Sequence, residues 1–169
     1  SDKLNLLEQL VSPMLEHGSE YDRSVGYLES SHLAEAAKGL FNFCERGGLA
    51  RFLIGNPLPK EELEAYQTAR AHSEGECDKF TERLRHLLNQ KLEIESSESI
   101  YLTVLQYLFA TNKLQIRLVL RERGMHHPKI RIAKDRFDGV VVTVGSDNDS
   151  FNALQGNNRE SGTLFCNWK

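Results

Sequence analysis

Several features are scarce in this chain of 169 residues, and each scarcity excludes a class of protein. The only cysteines, Cys44, Cys77 and Cys166, lack metal-ligand spacing, so we expect free thiols in a reducing, cytoplasmic compartment, with Cys44 and Cys166 in the core. No apolar run approaches the roughly 20 residues that span a bilayer. No repeat or low-complexity stretch occurs. We therefore expect one globular domain over residues 1–169, with no membrane partner and no secretory signal.

Charge is unevenly distributed along the chain, although the net value is only −3. Residues 61–98 hold ten acidic and five basic side chains, whereas residues 113–136 hold eight basic and two acidic ones. The basic members are Lys113, Arg117, Arg121, Arg123, Lys129, Arg131, Lys134 and Arg136. This local charge is either ordinary solvated charge on strand edges or a field that attracts a polyanion.

Hydrophobic periodicity predicts a layered α/β protein. Helical spacing predicts helices at about 4–16, 31–44, 61–71, 77–90, 98–110 and 150–154. Short buried or alternating runs predict strands at about 24–28, 50–54, 114–120, 129–133, 140–144 and 163–166. This order indicates a mixed central sheet flanked by helices.

The strongest chemical signal lies in a few polar residues after position 126. His127 and Lys129 stand two apart in a predicted strand, so their side chains share one face. That places a nucleophilic imidazole beside a fixed cation. A Gly-Ser turn and the Asn148 amide follow downstream. Such groups suit attack on a phosphodiester, which needs a nucleophile, a proton donor and cations around the phosphoryl oxygens.

The order of these motifs resembles the phospholipase D superfamily. The matching segments are H-x-K at 127–129, G-S-x-N at 145–148 and N-x-E at 158–160. The order of elements is similar over residues 24–168, but the specific residues lie only between 127 and 160. The resemblance implies a phospholipase D-like layered sandwich and a phosphodiesterase that needs neither a metal nor another cofactor.

The resemblance also implies a role for each residue of the motifs. His127 would form a phosphohistidine that water then cleaves, and Lys129 and Asn148 would hold the phosphoryl oxygens. The Ser146 hydroxyl would hold either the phosphate or an imidazole. Glu160 would accept a hydrogen bond from a catalytic histidine and fix its tautomer.

Only one H-x-K is present, whereas the chemistry uses two histidines on opposite sides of phosphorus. His126 adjoins His127 but would face the other way on a strand. In the resembled superfamily, single-motif members pair about a two-fold axis, which implies a homodimer with two copies of His127 across one pocket. The aspartate expected five residues after the lysine is Lys134 here, followed by Asp135. This departure argues against the lipase branch.

Three earlier segments indicate a branch of the superfamily. Residues 25–28, 51–55 and 115–118 resemble the phospholipase D-like domain at the N-terminus of bacterial DEAD/DEAH-box or SNF2-type helicases. Metal-independent restriction endonucleases carry similar domains. The resemblance implies DNA as substrate, with Arg123 and Arg131 as phosphate contacts. It also implies that the chain is the N-terminal fragment of a longer protein with a fused helicase or ATPase domain.

Three other functions remain compatible with the sequence. The first is a catalytically silent DNA-binding or dimerisation module. The second is a hydrolase of lipids or small phosphodiesters, and the third is a domain that mainly positions a motor.

Overall fold

The computed structural model describes residues 5–28, 30–57, 60, 64, 104, 106–146 and 161–168. Their frame is a six-stranded mixed sheet. Its strands are β1 (Glu20–Val25), β2 (Leu49–Ile54), β3 (Leu114–Leu118), β4 (Ile130–Lys134), β5 (Val140–Gly145) and β6 (Gly162–Cys166). Their spatial order is β3-β2-β1-β4-β5-β6.

The directions of the strands determine which strand ends lie next to each other. Strands β1, β2 and β3 are parallel, whereas β4 runs antiparallel to β1, with Ser24 opposite Ile130 and Glu20 opposite Lys134. Strands β4, β5 and β6 are successively antiparallel. The carboxyl ends of the parallel strands therefore lie at the same edge of the sheet as the start of β4. We call this edge the site edge.

The two faces of the sheet differ in burial. In β1, Tyr21, Arg23 and Val25 are buried, and they point to the core face because strand side chains alternate. Glu20 and Asp22 point to the opposite face, where both accept hydrogen bonds from Arg51 of β2. The hydrogen bond to Asp22 is the main reason that the pKa of Arg51 is raised.

Helices cover the core face. A π-helical segment, Leu7–Val11, continues directly into α1, Ser12–His17, and α2 is Ser30–Glu45. Residues 106–110 are also helical. Apolar side chains of these helices form one buried cluster with those of the strands, including Leu15, Phe41, Phe43, Leu108, Phe52 and Ile54. Among the described residues, no helix is long and apolar enough to cross a membrane.

The α/β class predicted from periodicity is confirmed, and five strands lie within one or two residues of their predicted starts. Strand β1 starts four residues earlier than predicted, because the charged residues Asp22 and Arg23 interrupt the apolar pattern that marks a strand. The prediction of a buried Cys166 is wrong, because this residue lies on the edge strand β6 and is exposed. The helices predicted at 77–90 and 150–154 lie outside the described residues, as does nearly all of 61–71.

Candidate functional site

His127 and Lys129 lie at the site edge, immediately before β4. The carbonyl oxygen of Lys129 accepts a hydrogen bond of 3.0 Å from the amide of Gly145, which continues the β4–β5 ladder by one residue. The backbone of Lys129 therefore takes part in the strand pairing, and His127 lies just outside the sheet. The sequence predicted both residues within one strand, whereas β4 begins at Ile130, so both precede it and only the Lys129 carbonyl joins the ladder.

The side chains of His127 and Lys129 are in contact. The Lys129 ammonium lies within hydrogen-bonding distance of His127 Nδ1, 3.1 Å from Nε2 and 3.1 Å from the His127 carbonyl oxygen. Lys129 is only 8% exposed, whereas His127 is exposed. A nearly buried cation is thus held against an imidazole that solvent or a ligand can reach.

The residues just after β1 position the His127 ring. A Cβ added to Gly26 would lie 2.9 Å from His127 Nε2 and still closer to Cδ2, so the ring needs the space that glycine leaves. The ring of Tyr27 meets the His127 ring edge to face, with centroids 5.7 Å apart and planes at 78°. The imidazole is therefore bounded by Gly26, Tyr27 and Lys129.

The neighbouring histidine has a different environment. His126 Nε2 lies 2.8 Å from Ser24 Oγ, on the face of the sheet opposite the core. A Cβ added to Gly55 would overlap the His126 carbonyl oxygen, so the end of β2 packs tightly on this backbone. A cavity of about 610 Å³ on the same face is lined in part by Ser24 and Arg51. His126 thus helps to fix the chain before β4.

The G-S-x-N segment is only partly described. Ser146 follows β5, adjacent to Gly145, whose amide binds Lys129. The Ser146 hydroxyl lies 3.1 Å from the amide nitrogen of Ser161, from which it accepts a hydrogen bond, and 3.4 Å from the Ser161 carbonyl oxygen. The segment therefore begins beside the site edge. Asn148 and Glu160 lie outside the described residues.

Three cations share the core face near the site edge. Arg131 of β4 is two residues after Lys129 and lies directly opposite Arg23 of β1. Both arginines are 1% exposed. Such deep burial of charge demands compensating polar interactions. Arg123, the other predicted phosphate contact, is exposed in the loop that leads to His126.

The aspartate that follows Lys134 has a structural role in the described chain. Asp135 Oδ1 accepts hydrogen bonds from the amides of Phe137 and Gly139, at 2.7 and 2.8 Å. These bonds close the turn between β4 and β5, at the end of β4 far from His127. Asp135 therefore belongs to the turn and does not contact the His127–Lys129 pair.

Sequence reasoning missed the contribution of the residues that end β1. The sequence places Gly26 and Tyr27 in a predicted strand and in a segment of the family resemblance, but it assigns neither of them, nor Ser24, a contact with the histidines. A glycine directly after a buried strand, followed by an aromatic residue, was the available signal, since glycine often marks a close approach of another chain segment. Their partners are about 100 residues away in the sequence, so only the fold reveals them.

In the described part of the chain, no group of three or more histidine, cysteine, aspartate or glutamate side chains could hold a metal ion. Comparison with known proteins gives no assignment: no family model matches the chain, and no curated protein matches it significantly.

Proposed function

We propose that this chain is a metal-independent phosphodiesterase of nuclease type, which cleaves DNA through a phosphohistidine at His127. The observation that carries the proposal is the contact between the exposed imidazole of His127 and the nearly buried ammonium of Lys129 at the site edge. An exposed nucleophile beside a fixed cation suits an anionic ester, because the cation neutralises oxygens that would repel the attack.

In the proposed first step, a ring nitrogen of His127 attacks phosphorus, and the N–P bond forms as the P–O bond to one nucleoside breaks. The Lys129 ammonium then binds a non-bridging oxygen, which is a stronger acceptor than a neutral imidazole because it is charged. A second histidine protonates the leaving oxygen. In the second step this histidine takes a proton from water, whose oxygen displaces His127 and releases the phosphate monoester.

The second histidine is the reason for proposing a homodimer. His126 bonds Ser24 on the face opposite the core, so it is not placed beside His127 and Lys129. We propose that His127 of the partner subunit supplies the acid across a two-fold axis. Asn148 keeps its proposed role as a hydrogen-bond donor to the phosphate, and Glu160 as an acceptor of a hydrogen bond from a histidine. Ser146 stays a candidate for binding either the phosphate or an imidazole.

The finer fold assignment, a phospholipase D-like sandwich, belongs to the same proposal. Its support is the order of motifs in the sequence, together with a mixed sheet in which 127–129 and 145–146 lie at the adjoining ends of the neighbouring strands β4 and β5. Shared placement of an H-x-K and a G-S on neighbouring strand ends is the arrangement that this chemistry needs.

DNA is the proposed substrate because basic side chains lead to the site. Arg117, Arg121 and Arg123 are exposed on β3 and on the loop that runs from β3 to His126. Exposed arginines near a phosphodiester site supply sequence-independent contacts to the backbone. A fused helicase or ATPase domain is proposed for the full-length protein on the resemblance alone.

The test is cleavage of DNA by the purified chain in excess EDTA, with His127→Ala and with His17→Ala as matched control. His17 is an exposed histidine at the end of α1, near Lys134 and so away from the site edge. Wild type and His17→Ala should cleave, and His127→Ala should lose about 10⁴-fold in rate. Retained cleavage in His127→Ala would refute the proposal.

Oligomeric state and other substrates separate the remaining functions. Light scattering should give twice the mass of the chain. A folded dimer that binds DNA without cleaving it would indicate a silent binding module. Hydrolysis of bis(p-nitrophenyl) phosphate without DNA cleavage would instead indicate a small-phosphodiester hydrolase.

A further inference from the structure

We infer that Tyr27 stacks on an unpaired base next to the scissile phosphate, which makes single-stranded DNA the preferred substrate. The inference rests on the proposed function and specifies its substrate class. Tyr27 is 42% exposed although it lies only two residues after Val25, the buried end of β1. A large aromatic ring that stays exposed beside a candidate nucleophile marks a binding surface.

The geometry of Tyr27 and His127 suits a flanking base. The two rings meet edge to face, with centroids 5.7 Å apart. A phosphate at His127 therefore places the attached nucleoside within reach of the Tyr27 ring, because a nucleotide is about as long as this separation. Stacking of a base on an aromatic side chain contributes about 1–3 kcal/mol and is tolerant of sequence.

The loop before His126 adds exposed apolar side chains among basic ones. Leu120 is 84% exposed and Met125 is 36% exposed, and between them lie the exposed Arg121, Glu122 and Arg123, so the loop has a net positive charge. The loop is tied to the site edge at its start, where the Val119 amide donates to the Ile54 carbonyl at 2.9 Å. Interleaved basic and apolar groups are the composition of surfaces that track a single strand, with cations on phosphates and apolar groups under bases.

This surface discriminates between single and double strands for a physical reason. Bases in a duplex are stacked on each other, and only phosphates and groove edges reach a protein surface. Tyr27 and Met125 then gain nothing, whereas the arginines contact phosphates in both forms. An unpaired strand offers the faces of its bases as well.

The experiment is binding of fluorescent oligonucleotides of one length, single-stranded and duplex, at one salt concentration, followed by anisotropy. The proteins are wild type, Tyr27→Phe, Tyr27→Leu and Tyr27→Ala. Phe137→Ala is the control, because Phe137 is 91% exposed in the β4–β5 turn at the far edge of the sheet. Every protein is measured in a His127→Asn background, which removes the proposed nucleophile, and a denaturing gel confirms that the strands stay intact during the measurement.

Wild type should bind the single strand more tightly than the duplex. Tyr27→Ala should weaken single-strand binding by about ten-fold, and Tyr27→Leu should weaken it by a smaller factor. Duplex binding should change by less than about two-fold in both variants. Tyr27→Phe and Phe137→Ala should match wild type. Equal losses on both substrates, or no loss, would overturn the inference, and so would conversion of Tyr27→Ala to a monomer.

These outcomes are independent of hydrolysis. Tyr27-dependent single-strand binding without cleavage refutes the proposed catalysis and leaves the stacking surface in place. Metal-free cleavage with no strand preference refutes the stacking surface alone.

Discussion

The absence of a side chain at Gly26 leaves the space that the ring of the candidate nucleophile, His127, occupies. Gly26 lies directly against the His127 ring, and a Cβ there would come 2.9 Å from Nε2 and closer to Cδ2. The ring is at the exposed end of its side chain, so it can swing away without disturbing the core.

We therefore expect Gly26→Ala to lower DNA cleavage by about 100-fold, the cost of displacing a reacting group by about 1 Å. Its free energy of unfolding should fall by less than about 1 kcal/mol. Gly39→Ala is the matched control, because Gly39 lies in α2 with Leu15 Cδ1 3.4 Å from an added Cβ. Steady-state rates and urea unfolding measure both effects. Full activity in Gly26→Ala would show that the His127 ring is not held in a productive position by this contact.

Burial lowers the reactivity of the Cys44 thiol. Desolvation raises the pKa of its thiol from 9.0 to about 12, partly offset by the charge of Lys113. Because thiolate is the reactive form, Cys44 should stay unmodified by iodoacetamide in the native protein up to about pH 10, whereas exposed Cys166 reacts. Mass spectrometry of the peptides measures this.

The same shift predicts a loss of stability at high pH. The thiol of Cys44 ionises near 9.0 in the unfolded chain but only near 12 in the folded one. Its contribution to stability is therefore complete below pH 9 and declines as the pH rises towards 12. Native labelling of Cys44 at neutral pH would contradict the burial of this residue.

The hairpin of β4 and β5 joins the H-x-K segment to the G-S segment. Its turn is closed by the Asp135 side chain and by the Asp135 amide, which donates to the Gly139 carbonyl at 3.0 Å. Asp135 Oδ1 accepts two backbone amide hydrogen bonds in the turn, where Asp138 has φ of 63°. We expect Asp135→Ala to lower the free energy of unfolding by about 1 kcal/mol, because the half-buried amide of Gly139 and the exposed amide of Phe137 lose their acceptor.

Asp135→Asn keeps Oδ1 and should lose less than half as much. Neither change should alter the rate of DNA cleavage, because the turn is at the far end of β4 from His127. Thermal unfolding and initial rates test the two statements. A loss of activity without a loss of stability would assign Asp135 to the site, in the manner of the aspartate of the full family motif.

The strands show what a sequence can predict. Strands β2, β4 and β5 lie close to their predicted positions, because apolar residues mark them in short runs. Strand β1 was displaced in the prediction because its core-facing positions include Arg23, which is 1% exposed. Periodicity cannot identify a charged residue as buried, since burial of a charge depends on partners elsewhere in the fold.

The candidate site divides in the same way. The proximity of His127 and Lys129 was predictable, because it depends on local spacing. The close approach of Gly26 to His127 and the bond between Ser24 and His126 were not, because each joins segments about 100 residues apart. Pairing of β1 with β4 creates both contacts, and strand order is a property of the whole sheet.

For the molecule as a whole, the strand order brings the candidate site residues together at one edge of the sheet. Three parallel strands end where β4 begins, so the loop with Arg121 and Arg123, the residues after β1 and the H-x-K all meet there. The opposite edge holds the β4–β5 turn and the end of α1. In the proposed homodimer, a second copy facing the site edge supplies the second histidine.

The most direct test of the metal-free mechanism is to trap the covalent intermediate. Labelled DNA is mixed with the protein in excess EDTA, quenched with alkali within milliseconds to seconds, and analysed by denaturing electrophoresis and peptide mass spectrometry. We expect a protein–DNA adduct that is stable to alkali and labile to acid, as a phosphoramidate is. The adduct should lie on His127 and be absent from His127→Ala. DNA cleavage by the wild type with no adduct at His127, or with the adduct on another residue, would contradict the phosphohistidine mechanism.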